Sequence, residues 1–404
     1  MKIAYLFTTF PRVSETFLQR EVTLMAEQGI ELRLYTLMGG SQRWRSFRVY
    51  RLNFWELFKV LWRLPKWVFL KPGTMLEAVE RLQPRYDNSP LNIAETLYGY
   101  AFALVKAEHF EKRRRPDLIH CVWATMPATA GWLLSRLVGI PFSMGAHAYD
   151  VFKEGGDRLL DLKVREARLI HTTTLSCQRR LVEIGAHPDK VKVIRRGLDA
   201  FPRLKPLRKP RTCLRLIAVG RLVPKKGYGE LLKILAHCQR EGLDFQFRLI
   251  GGGSLADTLR RQREALGLRE RVELVGRIEF GQVSEHYGWA DVLLFTGKVA
   301  PDGDRDGLPN VIPEAMAWGL PVITSPVAGT TEAITHGETG LVAALDRPGD
   351  WLRHLRRLQS DDLLADALRQ RARSWVEVNY DNQKNARRLA ELLKGVAMKS
   401  DTGN

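Results

Sequence analysis

The chain has 404 residues, of which 45% are hydrophobic and 27% charged, a composition typical of a globular protein of two or three domains that argues against extensive disorder. Lys and Arg number 63 against 45 Asp and Glu, so the net charge of +18 indicates an anionic partner: nucleic acid, an acidic membrane surface or a phosphorylated ligand. The four cysteines form no CxxC pair, which argues against a structural zinc site and a secreted disulfide framework.

The N-terminal segment lacks the long apolar stretch and cleavage site of a signal peptide. No run of about 18 apolar residues occurs that could span a bilayer. We therefore expect a cytoplasmic protein with reduced thiols.

Short apolar runs alternate with longer segments of helical periodicity along the chain. In the first half these runs predict strands at 2–7, 32–37, 117–123, 141–145, 169–174 and 190–194. In the second half they predict strands at 214–220, 245–251, 272–276, 291–295 and 321–324. Helical segments include 15–28, 228–240 and 255–266. The alternation predicts an α/β protein with two doubly wound, mainly parallel sheets.

The two series of strands are separated by a linker at 201–211, which holds three prolines and five basic residues without periodicity. We therefore predict an N-terminal domain over 1–200 and a second domain over 212–374. The remaining 375–404 is predicted to form one terminal helix, Trp375–Lys394, that could cross back to the first domain.

An insertion at 43–71 is unusually basic and aromatic, with eight Lys or Arg, one acidic residue and nine aromatic residues. Within it, apolar residues at helical spacing form one stripe beside Lys59 and Arg63: Phe54, Leu57, Phe58, Leu61 and Trp62. This pattern favours an amphipathic helix lying in an anionic lipid interface. The residues predicted to enter the interface are Trp44, Trp55, Phe58, Trp62, Arg63 and Trp67. One alternative is an ordinary core helix. A nucleic-acid-binding groove is much less favoured, because no nucleic-acid module occurs elsewhere in the sequence.

Ligand sites on parallel sheets lie at the carboxyl ends of strands, and three such junctions hold polar residues. After the strand ending at Gly220 come Arg221 and Lys226, and Gly227 then opens a helix. Cations beside free helix N–H groups suit a diphosphate, although both could be ordinary surface cations.

The second junction, 302–321, leads into a helix with free amides at Gly307, Leu308, Asn310 and Val311 that could cap an anion. Asp306 and Glu314 flank these amides, and their carboxylates could accept hydrogen bonds from a polyhydroxylated ligand. Taken singly, they could instead complement the helix dipole and face solvent.

The third junction places His147 and Asp150 after the strand at 141–145, and a further polar loop after the first strand contains Ser14 and Glu15. A lone histidine is more often structural than catalytic, and Ser14 and Glu15 could simply cap a helix. Hydrolase, Walker and GxGxxG motifs are absent from the sequence.

Taken together, the motifs resemble glycosyltransferase family 4. They are GRLVPKKG at 220–227, LIGGGSL at 249–255, VELVGRI at 272–278, ADVLLF at 290–295, DGLPNVIPEAMAWGLPVITS at 306–325 and GETGLV at 337–342. FPRVSETF and HAYDVF are similar to the subset that builds bacterial exopolysaccharides and lipid-linked glycans. The resemblance implies a GT-B architecture, in which two Rossmann-like domains face each other across a cleft.

The resemblance also implies a retaining enzyme that needs no metal or other cofactor. Arg221 and Lys226 would bind and stabilise the donor diphosphate, and Glu314 would hold the ribose. Asp306 would contact the transferred sugar, where the family's E-x7-E pattern has the longer Glu. The amides of Gly307, Leu308, Asn310 and Val311 would face the phosphate and sugar.

In the first domain, the resemblance places His147 at the C6 region of the sugar, with Asp150 orienting its loop. Ser14 and Glu15 stand where the family usually has a glycine pair that contacts the acceptor. The catalytic set implied is thus His147, Asp306, Arg221 and Lys226.

The resulting hypothesis is a peripheral enzyme of the inner membrane face that transfers a sugar from a UDP- or GDP-sugar to a lipid-linked glycan acceptor, without a nucleic-acid partner. Two alternatives remain open at this point: a soluble transferase acting on a small molecule, and a non-catalytic nucleotide-sugar-binding partner subunit.

Overall fold

The computed structural model describes residues 1–12, 15–83, 89–112, 115–152, 157–198, 200–209, 211–327 and 329–398. The chain divides into two compact units. The first comprises Met1–Arg196 together with Gln383–Asn404, and the second comprises Gly197–Asn382.

The first unit is built on an eight-stranded sheet. Its strands are β1 (Lys2–Phe7), β2 (Glu31–Thr36), β3 (Arg43–Trp44), β4 (Phe47–Arg51), β5 (Leu118–Cys121), β6 (Phe142–Gly145), β7 (Leu169–Thr172) and β8 (Val191–Val193). Their spatial order is β3-β4-β2-β1-β5-β6-β7-β8, and all neighbours are parallel except β3 and β4. Its helices are α1 (Thr16–Glu27), α2 (Val60–Leu70), α3 (Pro72–Glu80), α4 (Pro90–Lys112), α5 (Met126–Val138), α6 (Tyr149–Phe152), α7 (Leu160–Glu166) and α8 (Leu175–Glu183).

The central strand β1 is buried on both faces of this sheet. Ala4 and Leu6 belong to one apolar core, and Ile3, Tyr5 and Phe7 belong to the other. A parallel strand covered on both faces reads as a continuous apolar run, because successive side chains point to opposite faces.

The second unit is built on a six-stranded parallel sheet in the order β11-β10-β9-β12-β13-β14. Its strands are β9 (Leu214–Val219), β10 (Phe245–Ile250), β11 (Val272–Gly276), β12 (Val292–Phe295), β13 (Val322–Thr324) and β14 (Leu341–Val342). Its helices are α9 (Tyr228–Arg240), α10 (Ala256–Ala265), α11 (Val283–Trp289), α12 (Val311–Ala317), α13 (Pro348–Ser360) and α14 (Asp362–Asn379).

The prediction of a single terminal helix over Trp375–Lys394 is wrong, because the helix is interrupted at Tyr380 and Asp381. Trp375 lies in α14 of the second unit, and the last helix is α15 (Asn382–Met398). Helix α15 joins the first unit, where its apolar side enters the core around β1: Ala386, Leu389, Ala390 and Leu393. The Lys394 ammonium also donates to the carbonyl of Gln28, at 3.0 Å.

The insertion at 43–71 is helical where its apolar stripe predicts a helix, from Phe54 onward, but its first part forms strands. It begins with the β3–β4 hairpin at the sheet edge, continues as a 3-10 helix at Phe54–Lys59 and ends as α2. Strand alternation places Val49 inward, where it is buried in the same core as Phe10.

Three of the six residues predicted to enter a lipid interface face the protein instead. Trp67 is 2% exposed and lies in the core, and the half-buried Trp44 ring packs against Phe10 with centroids 5.1 Å apart. Arg63 donates to the carbonyl of Val105 at 2.8 Å and pairs with Glu108 at 3.0 Å. No helix in the described ranges is both long and apolar enough to cross a bilayer.

Candidate active site

The loop after β9 and the loop after β12 are tied together at the carboxyl edge of the second sheet. The hydroxyl of Thr296 donates to the carbonyl of Lys226 at 3.0 Å, and the amide of Lys298 donates to that of Lys225 at 2.9 Å. Gly227 has a φ of +65°, and a Cβ there would lie 1.9 Å from the Thr296 carbonyl oxygen. Only glycine permits this approach, so it fixes where α9 begins.

The charges of these two loops meet in one buried cluster. The Lys226 ammonium lies 2.6 Å from the Asp306 carboxylate, and Lys225 lies 3.5 Å from the same carboxylate and 3.0 Å from Asp304. Both lysines are less than 10% exposed. Burial alone would raise the pKa of Asp306, but the two ammonium groups hold it below its ordinary value. Asp306 is therefore ionised at neutral pH, and the cluster carries two cations against two anions.

Arg221 differs from these lysines because it is exposed. No carboxylate in the described parts of the chain forms an ion pair with it. Its guanidinium can therefore bind an incoming anion at the edge of the same loop.

Glu314 is held in place from α11. The Tyr287 hydroxyl donates to its carboxylate at 2.9 Å, and burial together with that carboxylate raises the pKa of Tyr287 well above its usual range. Asn310 and Val311 stand at the start of α12, so their N–H groups have no partner within the helix.

The preceding residues, Gly307 and Leu308, run tightly against another loop. A Cβ on Gly329 would lie 2.1 Å from the Gly307 carbonyl carbon and 2.5 Å from the Leu308 nitrogen. This close backbone packing sets the entry of the chain into α12.

In the first unit, Asp150 organises the loop that carries His147. Its carboxylate is 2% exposed and accepts hydrogen bonds from three backbone amides, those of His147 (3.1 Å), Ala148 (2.9 Å) and Ala124 (3.3 Å). Asp150 thus joins the loop after β6 to the loop after β5.

The His147 ring is buried and packs edge-on against Trp123 and His171, with centroids 5.5 and 5.1 Å away. Burial, with His171 and Arg196 nearby, lowers the pKa of His147 well below its ordinary value. The ring is therefore neutral at neutral pH, and among the described residues its Nδ1 has no hydrogen-bond partner. A neutral imidazole can hydrogen-bond a sugar hydroxyl.

Of the first-loop residues, Ser14 lies outside the described residues. Glu15 stands at the start of α1 without capping it through its side chain, and pairs with Arg12 at 3.4 Å. Burial raises the pKa of Glu15 against the pull of Arg12.

Sequence reasoning missed Lys225 and Tyr287, which hold Asp306 and Glu314. Lys225 stands beside Lys226 in the PKKG segment, and nothing in the pattern indicates that both lysines are buried. Tyr287 is 27 residues before Glu314, too far for a local spacing rule to connect them.

Solved structures that align over nearly the whole chain define its fold class. Sucrose-phosphate synthase of Thermosynechococcus elongatus aligns over 99% of this chain and 100% of its own, with a TM-score of 0.73 and 17% identity. HepE of Anabaena, solved with UDP and glucose, aligns over 98% of this chain and 100% of its own, with a TM-score of 0.68 and 18% identity. The chain has the GT-B fold, with two Rossmann-like units.

Matches to known protein families then identify the family to which the chain belongs. Residues 14–197 match the glycosyl transferase 4-like domain, and residues 202–375 match the glycosyl transferases group 1 domain. The chain belongs to glycosyltransferase family 4 and is a glycosyltransferase, as its motifs predict.

Two relatives match almost end to end. The putative colanic acid biosynthesis glycosyltransferase WcaL of Escherichia coli K12 is 25% identical over 98% of this chain and 100% of its own length. The amylovoran biosynthesis glycosyltransferase AmsK of Erwinia amylovora is 26% identical over the same shares. A GDP-mannose-dependent phosphatidylinositol monomannoside mannosyltransferase of Mycolicibacterium smegmatis is 32% identical over 45% of this chain and 47% of its own length.

Proposed function

We propose that this enzyme transfers a sugar, with retention and without a metal, from a UDP- or GDP-sugar to a lipid-linked glycan acceptor at the cytoplasmic membrane face, in bacterial exopolysaccharide synthesis. The two relatives matched end to end carry exopolysaccharide names, and the mannosyltransferase is named for a lipid acceptor. The observation that carries the donor half is the buried cluster of Lys225, Lys226 and Asp306.

In the proposed reaction, the bond from the anomeric carbon to the diphosphate breaks while the acceptor oxygen attacks from the same face. The leaving phosphate takes the acceptor's proton, so no enzyme nucleophile is needed. Arg221 and Lys226 stabilise the negative charge that develops on the diphosphate, since cations fixed before the reaction need no reorganisation. A donor-analogue complex with a carboxylate beneath the anomeric carbon would contradict this mechanism.

The remaining predicted residues have roles that fit their positions. Glu314, held by Tyr287, binds the ribose, and Asp306, held by two lysines, contacts the sugar. The amides of Gly307, Leu308, Asn310 and Val311 face the phosphate and sugar. His147 binds the sugar as a neutral ring, with Asp150 holding its loop. Ser14 and Glu15 are proposed to contact the acceptor.

The exposed side of the 3-10 helix and α2 supports the proposed binding to the membrane. The apolar side chains that remain at least 46% exposed there are Phe54, Trp55, Phe58, Leu61, Trp62, Val68, Phe69 and Leu70. Phe54, Trp55 and Phe58 contact one another, with ring centroids 5.8 to 6.2 Å apart. A contiguous exposed apolar surface of this kind marks an interaction site.

Charge contributes less to this surface than the composition suggests. Lys59 pairs with Glu56 at 3.2 Å, and Lys66 pairs with Glu108 at 2.6 Å. These cations already have partners within the protein. We therefore infer that the apolar area buried on insertion into the lipid contributes more to membrane binding than attraction to anionic headgroups.

Donor binding is tested by thermal shift of the full chain with a panel of nucleotide sugars, in EDTA. A ligand at 100 times its Kd adds about 2.7 kcal/mol of stability, which shifts the melting temperature measurably. We expect one nucleotide family to stabilise the wild type and not Lys226→Ala. Lys233→Ala, which removes an exposed lysine of the same unit, should respond as the wild type does. If no nucleotide sugar gives a shift, the proposed donor site is overturned.

Membrane binding is tested separately by co-sedimentation with liposomes of neutral and of anionic lipid. Trp55→Ser combined with Trp62→Ser should abolish sedimentation with both. Leu363→Ser, which removes a residue that is 85% exposed on α14, should leave it unchanged. A wild type that does not sediment with either lipid would favour a soluble transferase, and equal sedimentation of all three proteins would show that this surface does not bind the membrane.

A further inference from the structure

A group of polar side chains inside the first unit has no function in the proposed transfer. Glu21 extends from α1, His120 from β5 and His171 from β7. One ligand atom from each of the three side chains lies within 4.8 Å of the other two. Both rings are buried, at 0% and 4% exposure.

The ligand atoms of this group lack partners among the described residues. Glu21 Oε1, His120 Nε2 and His171 Nε2 are all shielded from water and have no partner at hydrogen-bond geometry. The Tyr5 hydroxyl, which also lacks such a partner, lies near the Glu21 carboxylate. Glu21 Oε1 and His120 Nε2 lie 4.0 Å apart, too far for a hydrogen bond. Buried polar atoms without partners are costly, so three that converge on one point indicate a group that binds between them.

The other nitrogen of His120 is already engaged. Its Nδ1 lies 2.8 Å from the Ser143 hydroxyl, which leaves Nε2 directed at Glu21. A ring fixed through one nitrogen with the other free is the arrangement found for histidines that bind metals.

The backbone between the two strands leaves room for these rings. Gly145 lies on β6, which separates β5 from β7. A Cβ on Gly145 would stand 2.9 Å from His171 Nε2 and 2.8 Å from His147 Nε2. The missing side chain therefore keeps the space beside the two histidines open.

We propose that Glu21, His120 and His171 bind one divalent transition-metal ion, of which Zn²⁺ has the matching chemistry. Two imidazoles and one carboxylate form a three-ligand zinc set that leaves one position open. Tetrahedral zinc bonds of about 2.0–2.2 Å place ligand atoms about 3.4 Å apart, so the three atoms would each have to approach one another by up to about 1.4 Å. The ion cross-links α1 to two strands of the sheet. It lies in the first unit, beside the His147 ring, whereas the residues proposed to bind the diphosphate belong to the second unit.

Direct metal binding tests the proposal on the full chain without a histidine tag. The protein is stripped with a chelator and titrated with Zn²⁺ by calorimetry, and with Co²⁺ to record its visible absorption. We expect one equivalent of metal, the absorption of a low-symmetry site with nitrogen and oxygen ligands, and a melting temperature that rises with Zn²⁺.

His171→Ala and Glu21→Gln should each weaken Zn²⁺ binding by at least about 100-fold, since even residues outside the ligand shell are worth 10- to 100-fold. His187→Ala removes an exposed histidine and should bind as the wild type does. Stoichiometric binding lost only in the two ligand variants supports the site. A wild type that binds no metal, or variants that bind as it does, would overturn the proposal, and the wild-type titration decides even if a variant fails to fold.

Discussion

The two units differ in which residue types depart from the usual pattern of apolar inside and charged outside. In the second unit, charged groups at the sheet edge are buried and paired, as Lys225 and Lys226 are with Asp306. In the first unit, large apolar groups of the 3-10 helix and α2 are left in solvent, with Trp55 76% and Phe69 84% exposed. Both choices cost stability, which indicates that each surface is kept for a ligand: an anionic one in the second unit and an apolar one in the first.

The largest expected difference in stability is between substitutions on the buried and the exposed side of α2. Trp67→Ala should lower the free energy of unfolding of the first unit by about 3–5 kcal/mol, because it empties a buried site. Trp62→Ala, five residues earlier and 61% exposed, should change it by less than about 0.5 kcal/mol. Urea denaturation of both variants gives the comparison, and a similar loss in both would mean that the exposed side of α2 is part of a core.

The next effect concerns the paired charges. Lys226→Ala should lower kcat for sugar transfer by about 10²- to 10³-fold, the range found when one group that stabilises developing charge is removed. Steady-state kinetics against Lys233→Ala tests this expectation. A variant that raises KM alone would show that Lys226 contributes only to binding the donor.

A glycine pair tests how tightly the second unit holds its loops. Gly227→Ala adds both backbone strain at φ +65° and a contact of 1.9 Å with the Thr296 carbonyl, so we expect a loss of about 2–4 kcal/mol. Gly242→Ala has a similar φ of +79° but nothing within 4 Å of the new Cβ, and should lose only about 1–2 kcal/mol. Equal losses in chemical denaturation would show that the two loops can separate at little cost.

The smallest effect is the pH dependence from Asp306, whose pKa lies below its ordinary value in the folded protein. The unfolded chain then binds this proton more readily, so the carboxylate stabilises the fold above the ordinary pKa, and that contribution is lost as the pH falls through the lower folded value. Asp306→Asn should remove this component from acid unfolding of the second unit. An unchanged acid transition would show that the ion pairs contribute nothing net.

The fold class and the family could be predicted because they depend on local signals. The strand expected at 214–220 is β9, Leu214–Val219, since a run buried on both faces has a plain apolar pattern. The β3–β4 hairpin was missed although Phe47 and Val49 alternate with Arg48, because the aromatic and basic composition of the segment favoured a lipid-facing helix.

The polar clusters could not be predicted, because they depend on which strands are neighbours. Glu21, His120 and His171 are about 50 to 150 residues apart. They meet only because the sheet order places β5 and β7 on either side of β6 and because α1 packs on the same sheet. The burial of Lys225 likewise follows from the loop after β12, which contributes Asp304 and Asp306 to it.

The return of α15 to the first unit determines when that unit can be completed during synthesis. The ribosome must release the whole second unit before Leu389 and Leu393 reach the core around β1. Until then the first unit has an uncovered apolar surface on that face of its sheet. A nascent chain stopped after the second unit should therefore expose this surface to chaperones, although it already contains every strand of both sheets.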